Sequence, residues 1–240
     1  MPTLSKNDNS SRKEKEIKVG YAYFFLYMKI IPFIYNQDTD DLISNTYLIV
    51  GKNNNVFVVD PSRDYDGIAN FIIKNEYSIS GIILTHAHCD HMRGINRLFN
   101  KFQAKLYIGA DDLDALYENR FNLSFYIDEK PLKLDEEIDV IPLLDHQNLM
   151  YDDEKIEVIF TPYHTKGSIC LYCPSINSLI TGDFLFKNSV GRADFLNSCP
   201  RKFYDSLAKI LFLPDNTKIY PGHGPFSTIG EEKKLNPFIK

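Results

Sequence analysis

Residues 85–91 read Thr-His-Ala-His-Cys-Asp-His, three imidazoles and a carboxylate in six positions. Six His in 240 residues would put only about 0.15 in a window of that size, so composition does not explain the cluster, and its spacing suits metal ligation. In an extended turn after a strand, His86 and His88 point to one side. Asp90 and His91, at the start of the helix that follows, can turn to a second metal. Ligand-type residues recur in the same kind of place, just after an apolar run: His164 after 158–161, Asp183 after 179–182 and His223 after 219–222. For these to bind together, strand ends far apart in the chain must meet on one edge of a sheet. Gly182 and Gly222 directly precede two of them, which suits backbone bends that aim a side chain into a tight cluster.

The apolar runs are rich in β-branched and aromatic residues and read as strands over 46–50, 56–60, 81–85, 105–108, 156–161, 168–172, 178–181 and 218–220. The Lys and Asn residues of 51–55 predict a hairpin between the first two. Between other strands the period turns helical. Ile95, Leu98, Phe99 and Phe102 form one stripe and Ile68, Phe71 and Ile72 a shorter one. Leu113, Leu116 and Tyr117, led by Asp111 and Asp112, predict a third helix. Phe203, Leu207, Ile210 and Leu211, with Pro200 near the first turn, predict a fourth. Strands first and then strands alternating with helices imply a layered α/β fold with helices outside the sheets. The stretch 128–154, around a strand-like segment at Pro142, reads as the most loop-like.

Residues 1–16 are almost wholly polar or charged and read as a disordered leader, leaving 17–240 as one domain. The apolar stretch 19–28 has five aromatic residues and no small-residue cleavage site. It reads as a first strand or sheet extension, with an organellar leader within 1–28 as the alternative. Four Cys, irregularly spaced, are too few to staple the chain, so a reducing, cytoplasmic setting is expected. The formal charge of −5 and the absence of a dense Lys/Arg block argue against a nucleic-acid partner, and no run is long enough to span a membrane.

The motifs THAHCDH (85–91), TPYHTKGS (161–168), TGDFLF (181–186), SVGRADF (189–195) and YPGHGP (220–225), followed by TIGEEKKLNPF (228–238), carry a resemblance to the metallo-β-lactamase superfamily. The match is narrower to its compact, glyoxalase II-like hydrolases, and covers roughly 29–238. The resemblance implies a four-layer αβ/βα sandwich, two sheets face to face with helices on both outer sides. It implies that His86, His88 and His164 hold one metal, that Asp90, His91 and His223 hold a second, and that Asp183 bridges them. Asp90 and Asp183 are then the catalytic carboxylates around a shared metal-bound hydroxide. Two divalent ions, zinc first and iron or manganese as alternatives, suit such nitrogen and oxygen donors. Thioester hydrolysis fits, because a thiolate leaving group needs little help from a proton.

Tyr163 and Lys166 stand where relatives have Gly and Pro. They either reshape a substrate entrance or are surface drift. Arg192 either binds a substrate carboxylate or pairs with Asp194 to fix its loop. Cys89 reads as a packed thiol rather than a ligand, and Cys170 and Cys173, at i and i+3 on a strand, face opposite sides. His146 reads as a solvated loop residue, and Glu231, Glu232 and Asn236 as a closure of the fold. Only about 17 residues follow His223, so the helical domain with which glyoxalase II grips glutathione is not expected. The leading expectation is a binuclear hydrolase of a small thioester such as S-lactoylglutathione. The alternatives are a one-iron persulfide dioxygenase acting on glutathione persulfide and a non-catalytic metal-binding relative; oligomeric state is not legible.

Overall fold

The structure, a computed structural model, describes residues 28–35, 42–62, 65–128 and 131–239. The polar leader, and all of the apolar stretch 19–28 except Met28, lie outside the described residues. Two six-stranded mixed sheets dominate. The first contains β1 (Lys29–Phe33), β2 (Thr46–Val50), β3 (Asn55–Val59), β4 (Ser78–Leu84), β5 (Leu106–Gly109) and β6 (Val140–Leu143), paired in chain order. From β3 to β6 it is parallel. Its crossovers carry α1 (Tyr65–Lys74), a single-turn α2 (Cys89–Met92), α3 (Ile95–Phe102) and a short α4 (Ser124–Ile127).

The second sheet is built from β7 (Asn148–Tyr151), β8 (Glu154–Phe160), β9 (Ile169–Cys173), β10 (Ser178–Gly182), β13 (Lys218–Pro221) and β14 (Ser227–Thr228), in the order 14-13-10-9-8-7. A small ribbon, β11 (Leu185–Phe186) with β12 (Ser189–Val190), stands apart. The helices α5 (Phe203–Leu211) and α6 (Ile229–Leu235) complete this half.

Strand alternation sorts the apolar residues into three layers. Tyr47, Ile49, Phe57, Val59 and Ile83 of the first sheet meet Ile156, Val158, Leu171 and Ile180 of the second. The alternate residues Leu48, Val58, Ile82 and Leu84 face outward onto Ile68 and Ile72 of α1 and Ile95 and Leu98 of α3. On the far side Ile159, Leu179 and Ile219 face Leu207 and Ile210 of α5. Three apolar seams between helix, sheet, sheet and helix make the four-layer α/β sandwich that the resemblance implied. Each fully buried Leu, Ile or Phe in them contributes about 1.5–3 kcal/mol relative to exposure. No described helix is long and apolar enough to cross a membrane.

Four details differ from the sequence reading. β1 occupies 29–33, where the sequence reading had no strand, and it tolerates Pro32 because it is an edge strand. The loop-like stretch 128–154 holds β6, at the strand-like segment around Pro142, and also β7; both are edge strands, and half-exposed patterning hid β7. In place of a third amphipathic helix there are two 3₁₀ turns, Ala110–Asp112 and Asp114–Leu116. The Asp112 carboxylate is drawn inward to Ala87, Thr165 and Gly167, which interrupts regular helix there. Cys89 opens α2 instead of continuing an extended turn, and it is fully buried. Cys170 and Cys173 do face opposite sides, one toward α5 and one between the sheets. Burial pushes both thiols up to about 12.

Candidate metal centre

Every ligand-type side chain singled out in the sequence sits just beyond a strand. His86 and His88 follow β4, His164 follows β8, Asp183 follows β10 and His223 follows β13. β3 to β5 are mutually parallel, as are β10 and β13, and β8 runs the same way as β10 because each is antiparallel to β9. The four strand exits open on one end of the sandwich, where their ligand-type side chains come together. His88 keeps extended backbone and α2 begins at the next residue, so Asp90 and His91 project from a helical turn, with the His91 ring 4.1 Å from that of His86 between centroids. Gly182 adopts a left-handed φ of 49°, bending the chain before Asp183. At Gly222 a Cβ would overlap the Asp183 carboxylate, so only glycine lets the His223 loop approach.

The seven groups converge as two overlapping sets. Nε2 of His86 and Nε2 of His164 lie 3.1 and 2.8 Å from Nδ1 of His88. Nε2 of His223 lies 3.1 Å from Asp90 Oδ2, and Nε2 of His91 lies 3.6 Å from the same oxygen. Asp183 stands between the sets: Oδ2 is 3.5 Å from both His164 and His223, and Oδ1 is 3.4 Å from His91.

Outer partners indicate which ring nitrogens carry lone pairs inward. Nδ1–H of His164 donates to the Arg192 carbonyl at 2.7 Å, and Nδ1–H of His91 donates to Asp60 Oδ2 at 2.9 Å. Nδ1–H of His86 meets Thr85 Oγ1 at 3.1 Å, whose own hydrogen goes to Asp60 Oδ2 at 2.7 Å. In the neutral rings Nε2 of all three then points a lone pair into the cluster. Two such lone pairs aim at Nδ1 of His88, which holds at most one hydrogen. Nε2 of His91 and Oδ1 of Asp183 are buried without hydrogen-bond partners. Converging lone pairs and orphaned acceptors fit cations, and gaps of 2.8 and 3.1 Å lie near the edge of about 3.3 Å expected for imidazole nitrogens about 2.0 Å from a tetrahedral ion.

The two sets differ electrostatically. Burial, reinforced by neighbouring imidazoles, holds His86 well below its ordinary value and lowers His88 to about 3. Burial also lowers His164, against the pull of Asp183. Burial opposes charge on His91 and His223 as well, but the carboxylates outweigh it and raise both, through Asp90, Asp60 and Asp183 for His91 and chiefly Asp183 and Asp90 for His223. Burial likewise works against ionised Asp90 and Asp183, yet His91 and His223 keep both below the usual carboxylate range.

Several supporting residues escaped the sequence reading. Asp60, fully buried with a left-handed φ of 51°, accepts from the Thr85 amide and hydroxyl and from His91, tying the first His loop to α2. The available signal was its place directly after β3, the same kind of position as the other ligand-type residues. Asp112 accepts from Ala87 N, Thr165 Oγ1 and Gly167 N, so one carboxylate joins the His86–His88 and His164 loops. Asn45 donates through its side chain to the carbonyls of Pro221 and Gly224, and Tyr47 donates its hydroxyl to Pro221, holding the His223 loop from the first sheet. Those two contacts span more than 170 positions and leave no local signature.

A cavity of about 630 Å³ opens over the cluster and is lined by His88, Asp90, His164, Asp183 and His223 on its floor. Arg192 lines its wall and forms the expected two-pronged pair with Asp194 at 2.6 and 2.7 Å. Tyr163 and Lys166, proposed for the substrate entrance, lie outside the lining. Tyr163 packs on Phe184 and Phe203, and Lys166 pairs with Asp114 at 2.7 Å. His146 is an exposed turn residue near Asp145 and Glu157. Glu232 is buried and accepts from Ser227, Asn188 and Asn236, closing α6 onto the loop before β12.

A sequence profile of the Metallo-beta-lactamase superfamily matches residues 39–223. The Haemophilus influenzae protein named hydroxyacylglutathione hydrolase GloC is 29% identical over 210 residues, 81% of this chain and 92% of that protein. Among solved structures, the BLEG-1 B3 metallo-beta-lactamase superposes with a TM-score of 0.80 at 26% identity, over 88% of this chain and 100% of that one. TTHA1623, solved in a di-iron-bound form, superposes with a TM-score of 0.70 at 28% identity, over 87% and 99% of the two chains.

Proposed function

The chain belongs to the metallo-beta-lactamase superfamily, and on that premise we propose that it is a binuclear metal-dependent hydrolase cleaving a thioester such as S-lactoylglutathione. The observation that carries this reading is the donor arrangement: an all-imidazole triad and an Asp-His-His triad share the Asp183 carboxylate on the floor of one cavity. His86, His88 and His164 would hold one ion, Asp90, His91 and His223 the other, and Asp183 would touch both. Zinc is the first candidate, with iron or manganese as alternatives. When bound, such a pair lowers the pKa of water toward neutrality and polarises a carbonyl.

The chain's own part is positioning. Asp60, Thr85 and the Arg192 carbonyl fix the tautomers and planes of His91, His86 and His164. The two carboxylates on the cavity floor, Asp90 and Asp183, are held ionised by the imidazoles that surround them. A thioester is cleaved with a thiolate as the leaving group, a weak enough base that no dedicated acid is required. The GloC relative supports the thioester over other acyl substrates through the activity in its name.

Thiol release from S-lactoylglutathione, measured with elemental analysis of the same preparation, tests the proposal. Turnover with two metals per chain, lost in His88→Ala and Asp183→Ala, is expected. Full metal loading with no turnover across a panel of thioesters would overturn it. One iron per chain with oxygen uptake on glutathione persulfide would move the reading to the dioxygenase class.

A further inference from the structure

We propose that Arg120 is a specificity-determining residue, binding an anionic group of the thiol carrier at the wall of the metal cavity. The inference rests on the thioester reading above and names the substrate feature it selects. Two guanidiniums line the cavity, Arg120 and Arg192, and their surroundings differ. Arg192 is neutralised by Asp194 through two short hydrogen bonds and lies over the Phe195 ring at 4.7 Å. Arg120 packs over the Phe125 ring at 5.7 Å, and among the described residues no carboxylate forms an ion pair with it. Its neighbours on that wall are the apolar Leu123 and Ile127 and the ring of Tyr126. The cavity therefore presents one uncompensated fork of donors among mainly apolar side chains, in the same cavity as the carboxylates of the floor. A guanidinium stacked on an aromatic ring is held in plane, which suits two-pronged binding of a carboxylate or phosphate. A cavity of about 630 Å³ has room for a carrier that reaches from the floor to this wall.

The experiment compares wild type, Arg120→Gln, Arg120→Lys and Arg97→Ala. Arg97 pairs with Asp66 on the outer helical layer, so its removal changes net charge equally without touching the cavity. The substrates are S-lactoylglutathione, whose carrier has carboxylates, a coenzyme A thioester, whose carrier has phosphates, and the uncharged S-lactoyl-N-acetylcysteamine. Arg120→Gln is expected to raise KM for an anionic thioester about tenfold with kcat unchanged, and to leave the uncharged one unaffected. The anionic substrate with the larger loss identifies the source of the charge. Arg120→Lys should recover part of the loss, and Arg97→Ala should match wild type. Equal effects on charged and uncharged substrates, or none on either, overturn the proposal. Calorimetric binding of S-methylglutathione, which has no free thiol, separates this outcome from failure of the thioester reading. If no thioester is turned over, a tenfold weaker binding in Arg120→Gln still supports the role of Arg120. Unchanged binding, or no binding by wild type, overturns it.

Discussion

His86, His88 and His164 meet as three imidazoles, whereas His91 and His223 meet around Asp90, and Asp183 is shared between the two groups. The first group is kept neutral by burial and mutual repulsion, so each ring keeps one nitrogen free of a proton near neutral pH. In the second, carboxylates raise both imidazoles, so a cation must displace protons before it binds. Their scaffolds differ as well. Asp112 braces the first group across two loops, while Asn45 and Tyr47 brace the second from the opposite sheet. A single end of the sandwich thus holds two sites of unlike charge, one open to metal over a wide pH range and one gated by proton release.

The largest effect expected is from Asp183→Asn, which removes the shared charge. Metal content measured by elemental analysis should fall at both positions, and activity should drop by more than the factor of about 100 seen for losing an outer partner of a ligand. Retention of one full site would show that the two groups are independent. Asp60→Asn comes next, with metal affinity about 10–100-fold weaker and the loss greatest for the second ion, because His91 loses its acceptor.

A paired test is smaller and more discriminating. Asp112→Asn and Asn45→Ala should each cost about 1–3 kcal/mol of stability by denaturant unfolding. The first should weaken the site of His86, His88 and His164, and the second that of His223. Equal losses at both sites from either change would erase the distinction in scaffolding.

The mildest test is titration. In metal-free protein, His88 should stay neutral down to about pH 3, below its ordinary value of 6.5. Between those values the unfolded chain takes up a proton that the folded chain does not, so this group's contribution to stability falls as pH drops. His91 and His223 have the opposite sign: their contribution is complete below 6.5 and is lost as pH rises through their raised values. Imidazole proton shifts followed by NMR would show the split, and metal stoichiometry should fall from two toward one on acidification. A common midpoint for all the histidines would contradict it.

The strands that carry the site were legible because each is a continuous apolar run with a ligand-type residue at its end, as in 178–183. The edge strands β1 and β7 were not, and β6 showed only as a strand-like segment at Pro142, because edge positions accept Pro32, Pro142 and exposed side chains that blur the period. Within the site, the residues facing the cluster stood out by type and spacing. Asp60, Asp112 and Asn45 did not, since a buried Asp and a surface Asp look the same in sequence. Tyr163 and Lys166 show the converse: they stand beside His164 in the chain, yet their side chains contact Phe203 and Asp114, so closeness in sequence does not by itself place a side chain on the cavity wall.

By itself the sequence determined which side chains can donate to a metal and that they end strands, because residue type and local apolar pattern are properties of short segments. Only the tertiary structure decided which nitrogen of each ring faces inward, which arginine is neutralised and which carboxylate braces which loop. Those choices are set by contacts between segments up to 179 positions apart, where hydrogen-bond geometry and local charge, rather than local pattern, fix the outcome.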